Sequence, residues 1–263
     1  SLHDALPISP TSVLGIMDIS NPTNPTFVAT TSFTVGTAPY ALAVSGKYVH
    51  IAGGGFRTFD ISNPTNPTLV GSSSITTSLS ARALTASGNF VYLTDSSADM
   101  FFIYDVSNPA APRQIGSIPL AFTSGEEKLV VQGKYVYVAH GLFDDKFSII
   151  DVSSPSSPFV ATTTSVADDP FSIAVSGRYL YVSVVDAVNI YDIASSTSPS
   201  LLSTVTLSGS IRSMTVTGRY LYAMAFGAAN LFTIDVSSPT SPILLSTTTV
   251  PSSTFGLDRK SVV

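Results

Sequence analysis

Short runs in which apolar and polar residues alternate, separated by turn residues, occupy almost the whole chain. One stretch shows the pattern clearly, with ALAVS (41–45), YVHIA (48–52), FRTFDI (56–61) and TLVGSSS (68–74). A period of two, filled by β-branched and aromatic residues, is typical of strands in a packed sheet. The pattern predicts four consecutive strands, here designated A, B, C and D, joined by short antiparallel connections.

This four-strand pattern is repeated along the chain. A motif of Asp, then Ile or Val, then Ser or Ala, followed by Pro, begins at Asp18, Asp60, Asp105, Asp151, Asp192 and Asp235. A second motif stands between its copies, as in SGKYVHIA, SGNFVYLT, QGKYVYVA, SGRYLYVS and TGRYLYAM. We interpret the Gly of the second motif as a tight A–B hairpin turn. The Asp motif is interpreted as the C–D turn, whose Asp side chain caps backbone N–H groups.

Four antiparallel strands in about 40–50 residues are the signature of a β-propeller blade, and blades must stack because one blade cannot bury its faces alone. The segments FRTFDISNPTNPTLVGS and GKYVYVA resemble the LVIVD-repeat proteins of bacterial and archaeal cell surfaces, and the resemblance covers nearly everything from Val13 to Val250. It implies an all-β propeller and a secreted or cell-surface location. It implies no catalytic residues.

The two ends of the chain differ in composition from the repeats. Residues 1–8 (SLHDALPI) and 258–263 (DRKSVV) are similar to translated sequencing-adapter DNA, and we interpret them as non-native. Residues 9–257 are expected to form a single propeller domain, with a half blade at 13–35 and full blades at about 38–75, 80–118, 127–165, 170–207 and 210–250. The chain would then hold about five and a half blades of a parent ring of about six to eight.

Composition and motif content exclude several classes of protein. The chain has no Cys, only 11% charged residues and a net charge of -5. It therefore has no disulfide or Cys-ligated metal, and its acidic balance disfavours nucleic acid as a partner. No run of about 18 apolar residues predicts a membrane span. Motifs of serine hydrolases, zinc proteases, P-loop proteins and dinucleotide-binding proteins are absent, so we expect a non-enzymatic domain without a cofactor. We also expect the domain to be monomeric.

Variation among the repeats indicates which end of a blade binds a ligand. Most length variation falls in the B–C loop, which lies at the same end as the D–A connection. At the start of strand A, six residues before each hairpin Gly, the side chain differs from blade to blade, as Tyr40, Arg82, Glu127, Phe171 and Arg212. Because strand A is innermost, we expect these five to surround the mouth of the central channel and to bind a protein or glycan. Unconstrained drift of surface loops is the simpler alternative.

Acidic loop residues are weaker candidates for a Ca²⁺ site. Asp95 and Asp99 lie in one B–C loop, and Asp144 and Asp145 lie in the next. Hard cations take clustered oxygen ligands, but these spacings match no EF-hand loop, and neither does the pair at 168–169. Solvated acidic loops are therefore the favoured interpretation. The six Asp residues of the turn motif lie a whole blade apart and cannot share one ion.

The three histidines do not suggest a metal centre. His50 occupies the slot that Tyr fills in the other B strands, so we interpret it as a packing residue, and His3 lies in the non-native end. His140 remains, and one histidine is too few for a His-rich site.

We therefore expect a scaffold for recognition or adhesion at the cell surface. Two alternatives stay open, namely the non-catalytic propeller part of a secreted hydrolase-type enzyme and a structural spacer of a surface layer.

Overall fold

The alternating pattern produces β-strands throughout the described part of the chain. The computed structural model describes residues 3–8 (backbone only), 13–21, 24–33, 41–73, 81–122, 128–227 and 229–250. Every regular element in these ranges is a strand. Within the same ranges, no helix has the length and apolar composition needed to cross a bilayer. The all-β prediction is confirmed.

The first of two compact units contains three antiparallel sheets. Sheet 1 consists of β1 (His3–Ile8), β2 (Val13–Asp18) and β3 (Thr26–Ser32). Sheet 2 consists of β4 (Ala41–Ser45), β5 (Tyr48–Ala52), β6 (Phe56–Asp60) and β7 (Thr68–Ser73). Sheet 3 consists of β8 (Ala81–Ser87), β9 (Phe90–Asp95), β10 (Met100–Asp105) and β11 (Arg113–Pro119).

The second unit contains three further four-stranded sheets. Sheet 4 consists of β12 (Lys128–Gln132), β13 (Tyr135–Ala139), β14 (Lys146–Asp151) and β15 (Phe159–Ser165). Sheet 5 consists of β16 (Ile173–Ser176), β17 (Tyr179–Val184), β18 (Ala187–Asp192) and β19 (Ser200–Thr206). Sheet 6 consists of β20 (Ser210–Thr217), β21 (Tyr220–Phe226), β22 (Asn230–Asp235) and β23 (Ile243–Thr249).

Sheets 2 to 6 are antiparallel meanders whose strands follow chain order, as predicted for strands A to D. Sheet 1 differs from the sequence prediction, which assigned it strands C and D alone. Its β2 and β3 are those strands, and β1 pairs with β2 from His3 opposite Asp18 to Ile8 opposite Val13. The segment interpreted as non-native therefore contributes a strand in the position of strand B.

Each sheet packs face to face on the next within its unit. On β17, Leu180 and Val182 join a cluster with Ile149 of sheet 4, whereas Tyr181 joins a cluster with Leu221 of sheet 6. Successive side chains of a strand point to opposite faces, so β17 buries both faces.

The same packing builds the first unit. Val49 and Ile51 of β5 contact Leu14 of sheet 1, and Phe56 of β6 packs with Leu93 of sheet 3. The sheets therefore stack as blades do, and the prediction of four-stranded antiparallel blades is confirmed.

The six repeated Asp residues fix the C–D turns. In all six sheets the Oδ1 atom accepts the backbone N–H of the residue two positions later, at 2.8–2.9 Å. This contact closes an Asx turn. The turn-capping interpretation is therefore confirmed. The bonds join Asp18 to Ser20, Asp60 to Ser62, Asp105 to Ser107, Asp151 to Ser153, Asp192 to Ala194 and Asp235 to Ser237.

The same carboxylates tie the C–D turn to the A–B turn. In four sheets the hairpin Lys or Arg pairs with the Asp and lies over the neighbouring Tyr ring, 5.0–6.0 Å from its centroid. The four pairs are Lys47–Asp60, Lys134–Asp151, Arg178–Asp192 and Arg219–Asp235. Sheet 3 has Asn89 in the hairpin slot, and Asp105 pairs instead with Arg113 of β11 at 3.2 Å.

These contacts hold the carboxylates in their charged form. Hydrogen bonds from Ser62, followed by the Lys47 ammonium, lower the pKa of Asp60 to about 2. The resulting stabilisation is present above the ordinary Asp pKa and is lost as the pH falls towards 2.

In sheets 2 and 5, a small residue on strand D makes room for the C–D turn of the next sheet. This residue comes directly after a β-bulge in strand D, and the bulge is present in the pairing of strands C and D in all six sheets. Ser203 of β19 donates to the Pro239 carbonyl of sheet 6 at 2.6 Å. In the first unit the slot is Gly71, and a Cβ there would lie 2.0 Å from the Pro109 carbonyl oxygen of sheet 3.

We expect Gly71→Ala to lower the free energy of unfolding by about 1–3 kcal/mol, because the added methyl forces sheets 2 and 3 apart. Chemical denaturation measures the loss. Ser246→Ala is the matched control, since Ser246 occupies the same slot in sheet 6 and is exposed. A Gly71→Ala variant as stable as the control would contradict this account of the packing.

His50 fills the slot of a core Tyr. It is buried, its Nδ1 lies 3.1 Å from the Thr58 hydroxyl, and its ring stacks on Phe56 at 5.7 Å between centroids. Its Nε2 has no hydrogen-bond partner in the described ranges. Burial lowers the pKa of His50 to about 4. The packing interpretation is confirmed.

Acid should destabilise the protein through His50. The unfolded chain takes up the proton near pH 6.5 and the folded chain only near pH 4, so stability is lost as the pH falls through this window. The loss reaches on the order of 3 kcal/mol. We expect His50→Tyr and His50→Leu to flatten the dependence of unfolding free energy on pH between 6.5 and 4. An unchanged pH profile in both variants would refute the assignment.

Candidate functional site

Each meander has two chemically different ends. The A–B and C–D turns lie at one end, here named the turn end. The B–C loop and the connection to the next strand A lie at the other, here named the loop end. The turn ends share the Asp contacts described above, whereas the loop ends differ from sheet to sheet.

Hydrogen bonds donated by backbone N–H groups link the loop ends of the second unit. The Phe143 N–H donates to Asp169 Oδ1 at 2.5 Å, and the Val185 N–H donates to the Asp169 carbonyl at 3.4 Å. The Val185 carbonyl accepts the Ile211 N–H at 2.7 Å. These bonds join the loop ends of sheets 4, 5 and 6 into one frame. We name residues 140–145, 166–172, 185–186 and 207–212 the loop-end rim.

Two rim residues have left-handed backbone conformations that normally favour glycine. Phe143 has φ of 68° and Val185 has φ of 39°. Such a conformation in a β-branched or bulky residue is uncommon and costly, and it concentrates at functional sites. The Phe143 ring is 72% exposed. The backbone strain therefore coincides with a solvent-facing aromatic ring.

Three rim carboxylates come together beside Phe143. Oxygens of Asp145, Asp168 and Asp169 lie within 4.8 Å of one another. Asp168 Oδ1 accepts the Asp169 N–H at 2.8 Å, in addition to the Phe143 contact of Asp169. The group is an array of oxygen acceptors, exposed at Asp145 and Asp168 and partly buried at Asp169, of the kind that accepts hydroxyl or cationic donors.

The other metal candidates do not assemble in this way. Asp144 is buried and pairs with Lys146 at 3.0 Å, so the two adjacent aspartates point to different surroundings. Asp95 is buried and caps its own loop through the Ser97 and Ala98 N–H groups, whereas Asp99 is exposed. Within the described residues, none of Asp95, Asp99 and Asp144 belongs to a group of three possible metal ligands.

His140 is also a core residue. It is buried, its Nε2 lies 2.8 Å from the Ser148 hydroxyl, and its ring lies 5.1 Å from the Phe122 ring.

Of the five residues predicted to bind a ligand, Arg82, Phe171 and Arg212 are described, and Tyr40 and Glu127 lie outside the described residues. The structure brings Phe171 and Arg212 together, with the guanidinium 3.6 Å from the ring centroid. Arg82 belongs to the first unit. That all five line one channel mouth stays a prediction.

Arg82 and Arg212 both stand at an irregularity in the pairing of strands A and B. Register shifts fall between Ala81 and Ala83 and between Ile211 and Ser213, so each arginine is the extra residue of a bulge. A bulge redirects the side chain that it carries. Arg212 Nε also donates to the Ser210 hydroxyl at 3.1 Å.

Sequence reasoning missed three parts of this site. It did not single out Phe143 or Val185, and it treated the aspartates at 144–145 and 168–169 as separate loops. Phe143 could have been noticed in the sequence, because it is a large apolar residue in a predicted loop, between Gly141 and Asp144.

Solved structures share the fold at low sequence identity. A protein from Lactobacillus plantarum matches with a TM-score of 0.79 over 95% of this chain and 82% of its own, at 15% identity. A Bacteroides fragilis protein, whose assignment as a 6-phosphogluconolactonase is itself provisional, gives 0.77 over 95% and 81%, at 15% identity. The periplasmic gluconolactonase of Pseudomonas aeruginosa gives 0.75 over 93% and 79%, at 14% identity. These likenesses concern the fold alone.

No curated protein matches the chain by sequence. The LVIVD repeat family, in contrast, matches six segments, at residues 12–32, 40–74, 80–119, 127–164, 169–206 and 208–250. These segments cover most of the chain and contain both repeated motifs. The resemblance drawn from the sequence is thereby confirmed, and the chain belongs to the LVIVD-repeat family, with a β-propeller fold of four-stranded antiparallel blades.

Proposed function

We propose that this protein is a recognition module that binds a glycan on the loop-end rim. The observation that carries the proposal is the exposed side chain of Phe143, whose backbone N–H donates to Asp169, one of three aspartates with clustered carboxylates. A sugar offers apolar C–H groups on one face and hydroxyl donors at its edge. An aromatic face receives the first and carboxylate oxygens accept the second.

The backbone of the rim suits this role because it is organised before a ligand arrives. Hydrogen bonds connect Phe143, Asp169, Val185 and Ile211 across three sheets. Binding to a fixed frame costs less conformational entropy than ordering free loops. The strained backbone at Phe143 and Val185 supports selection for a binding geometry rather than for stability.

Cell-surface or secreted location and a monomeric state are part of the same proposal. The family resemblance supports the location. A propeller that presents variable loops at one end and constant turns at the other is suited to display a binding surface to the exterior. Binding of a protein ligand and a purely structural role as a spacer are the two alternatives that a test of glycan binding distinguishes from this proposal.

We expect Phe143→Ala to abolish or reduce at least tenfold the binding of glycans retained by the wild-type chain on a glycan array, because the ring supplies the apolar contact. Phe159→Ala is the matched control, since Phe159 is 55% exposed at the turn end of the same sheet. Affinities of the retained glycans are then measured by calorimetry. Equal affinity for both variants, or no retained glycan at all, would contradict the proposal.

A lactone hydrolase is the second candidate, favoured by the fold likeness to a periplasmic gluconolactonase. Hydrolysis of glucono-δ-lactone by the purified chain, above the spontaneous rate, would support it. We expect no such acceleration, because Asp145 and Asp168 are exposed to solvent, whereas acid–base catalysis works best in an enclosed pocket.

A further inference from the structure

A second binding site is indicated at the loop end of sheet 2, in the first unit, and it is independent of the glycan surface proposed above. We propose that Arg57 of β6 binds the carboxylate of a small organic acid there, assisted by the hydroxyl of Ser72 on β7. The argument combines the position of Arg57 in the repeat, its contacts, and the glycine loop at residues 53–55 that precedes β6.

Arg57 places a charge at a position that is otherwise part of the core. The position lies three residues before the repeated Asp of the C–D turn. In sheets 3 to 6 its occupants are uncharged and buried, namely Phe102, Ser148, Asn189 and Phe232. Arg57 itself is partly buried, and this burial lowers its pKa. A charge in such surroundings is costly unless an anion compensates it.

The described part of the chain does not supply that anion. In those ranges no carboxylate lies within ion-pair distance of Arg57. Its hydrogen bond there runs from Nη1 to the Gly53 carbonyl at 3.2 Å, which leaves donors on Nη2 and Nε for a ligand. Six other basic residues, in contrast, each pair with an aspartate, namely Lys47, Arg113, Lys134, Lys146, Arg178 and Arg219.

The guanidinium of Arg57 is held in place before a ligand arrives. Its carbon lies 5.9 Å from the centroid of the Phe33 ring, and that ring packs on Phe59 with 5.2 Å between centroids. Phe59 is buried, so the aromatic support belongs to the core between sheets 1 and 2. A planar guanidinium that is already oriented loses little entropy when a carboxylate accepts two of its N–H groups side by side.

The residues beside Arg57 leave its donors uncovered and add a hydroxyl. Gly55 has φ of 134°, a conformation that other residues rarely adopt. A Cβ there would lie 3.6 Å from Nη1 and 3.9 Å from Nη2 of Arg57, so a side chain at this position would cover the guanidinium. Ser72 lies directly opposite Arg57 in the pairing of β6 with β7, and it is exposed. Opposite residues share a face of the sheet, so the Ser72 hydroxyl can donate to the same carboxylate.

The charge balance favours a carboxylate over a phosphate group. Arg57 supplies one positive charge, which compensates one carboxylate. A phosphate monoester carries between one and two negative charges near neutral pH. Because the whole chain has a net charge of -5, the excess negative charge would be repelled.

The test follows the Nε–Hε NMR signal of Arg57 in the full chain during titrations with sodium acetate, sodium methyl phosphate and sodium chloride at equal ionic strength. We expect a saturable shift with acetate and at least fivefold weaker binding of methyl phosphate. Loss of the signal in Arg57→Lys assigns it. The Nε–Hε signal of Arg178 is the internal control, because its Nε already donates to Asp192 at 3.0 Å and should not move.

Ser72→Ala should weaken acetate binding about threefold or more, because one hydrogen bond to the carboxylate is lost. Ser73→Ala is the matched control, since neighbouring side chains of a strand point to opposite faces. Near-ultraviolet circular dichroism verifies that each variant is folded. A shift with acetate no larger than that with chloride, methyl phosphate binding as tight as acetate, or an equal shift of the Arg178 signal would overturn the carboxylate site. Unchanged affinity in Ser72→Ala would contradict the contact assigned to Ser72.

Discussion

The structure depends on the burial of both faces of the B and C strands between neighbouring sheets. A strand such as β17, with apolar residues at consecutive positions, satisfies its two faces only when another sheet lies on each side. Each fully buried large apolar side chain contributes about 1.5–3 kcal/mol. Within each unit, the stacking therefore aligns the sheets and places their turns at one end and their loops at the other.

The two ends then serve different purposes. At the turn end, an aspartate closes its own turn and pairs with the cation of the adjacent hairpin, as Asp151 does with Lys134. The Asp cap recurs in all six sheets, and the ion pair with the hairpin recurs in four of them. At the loop end, the strands are already fixed by packing, so residues such as Phe143 and Val185 tolerate strained backbone and exposure. The separation allows the proposed binding surface to change without loss of the fold.

Strands, repeats and turn caps were predictable because they arise from local patterns. The alternation of apolar residues gave the meanders, and the Asp motif gave the Asx turns. The ion pair between Lys47 and Asp60 was not foreseen, although both residues recur in their motifs, because it joins two turns that are distant in sequence. The rim was only partly foreseen. Arg212 and Phe171 were singled out because each stands six residues before a hairpin Gly. The proximity of Asp145 to Asp169, in contrast, depends on tertiary packing, which no local pattern encodes.

The different roles of the turn end and the loop end are tested most directly by replacing aspartates with alanine at each end. Asp151→Ala and Asp192→Ala remove turn-end caps, whereas Asp145→Ala and Asp186→Ala remove exposed carboxylates of the rim. Denaturant midpoints of the four variants are compared with that of the parent chain. The account predicts lower midpoints for the turn-end pair and unchanged or higher midpoints for the rim pair, since neither rim residue caps a C–D turn and Asp145 stands beside two other carboxylates. Equal losses at both ends would contradict it.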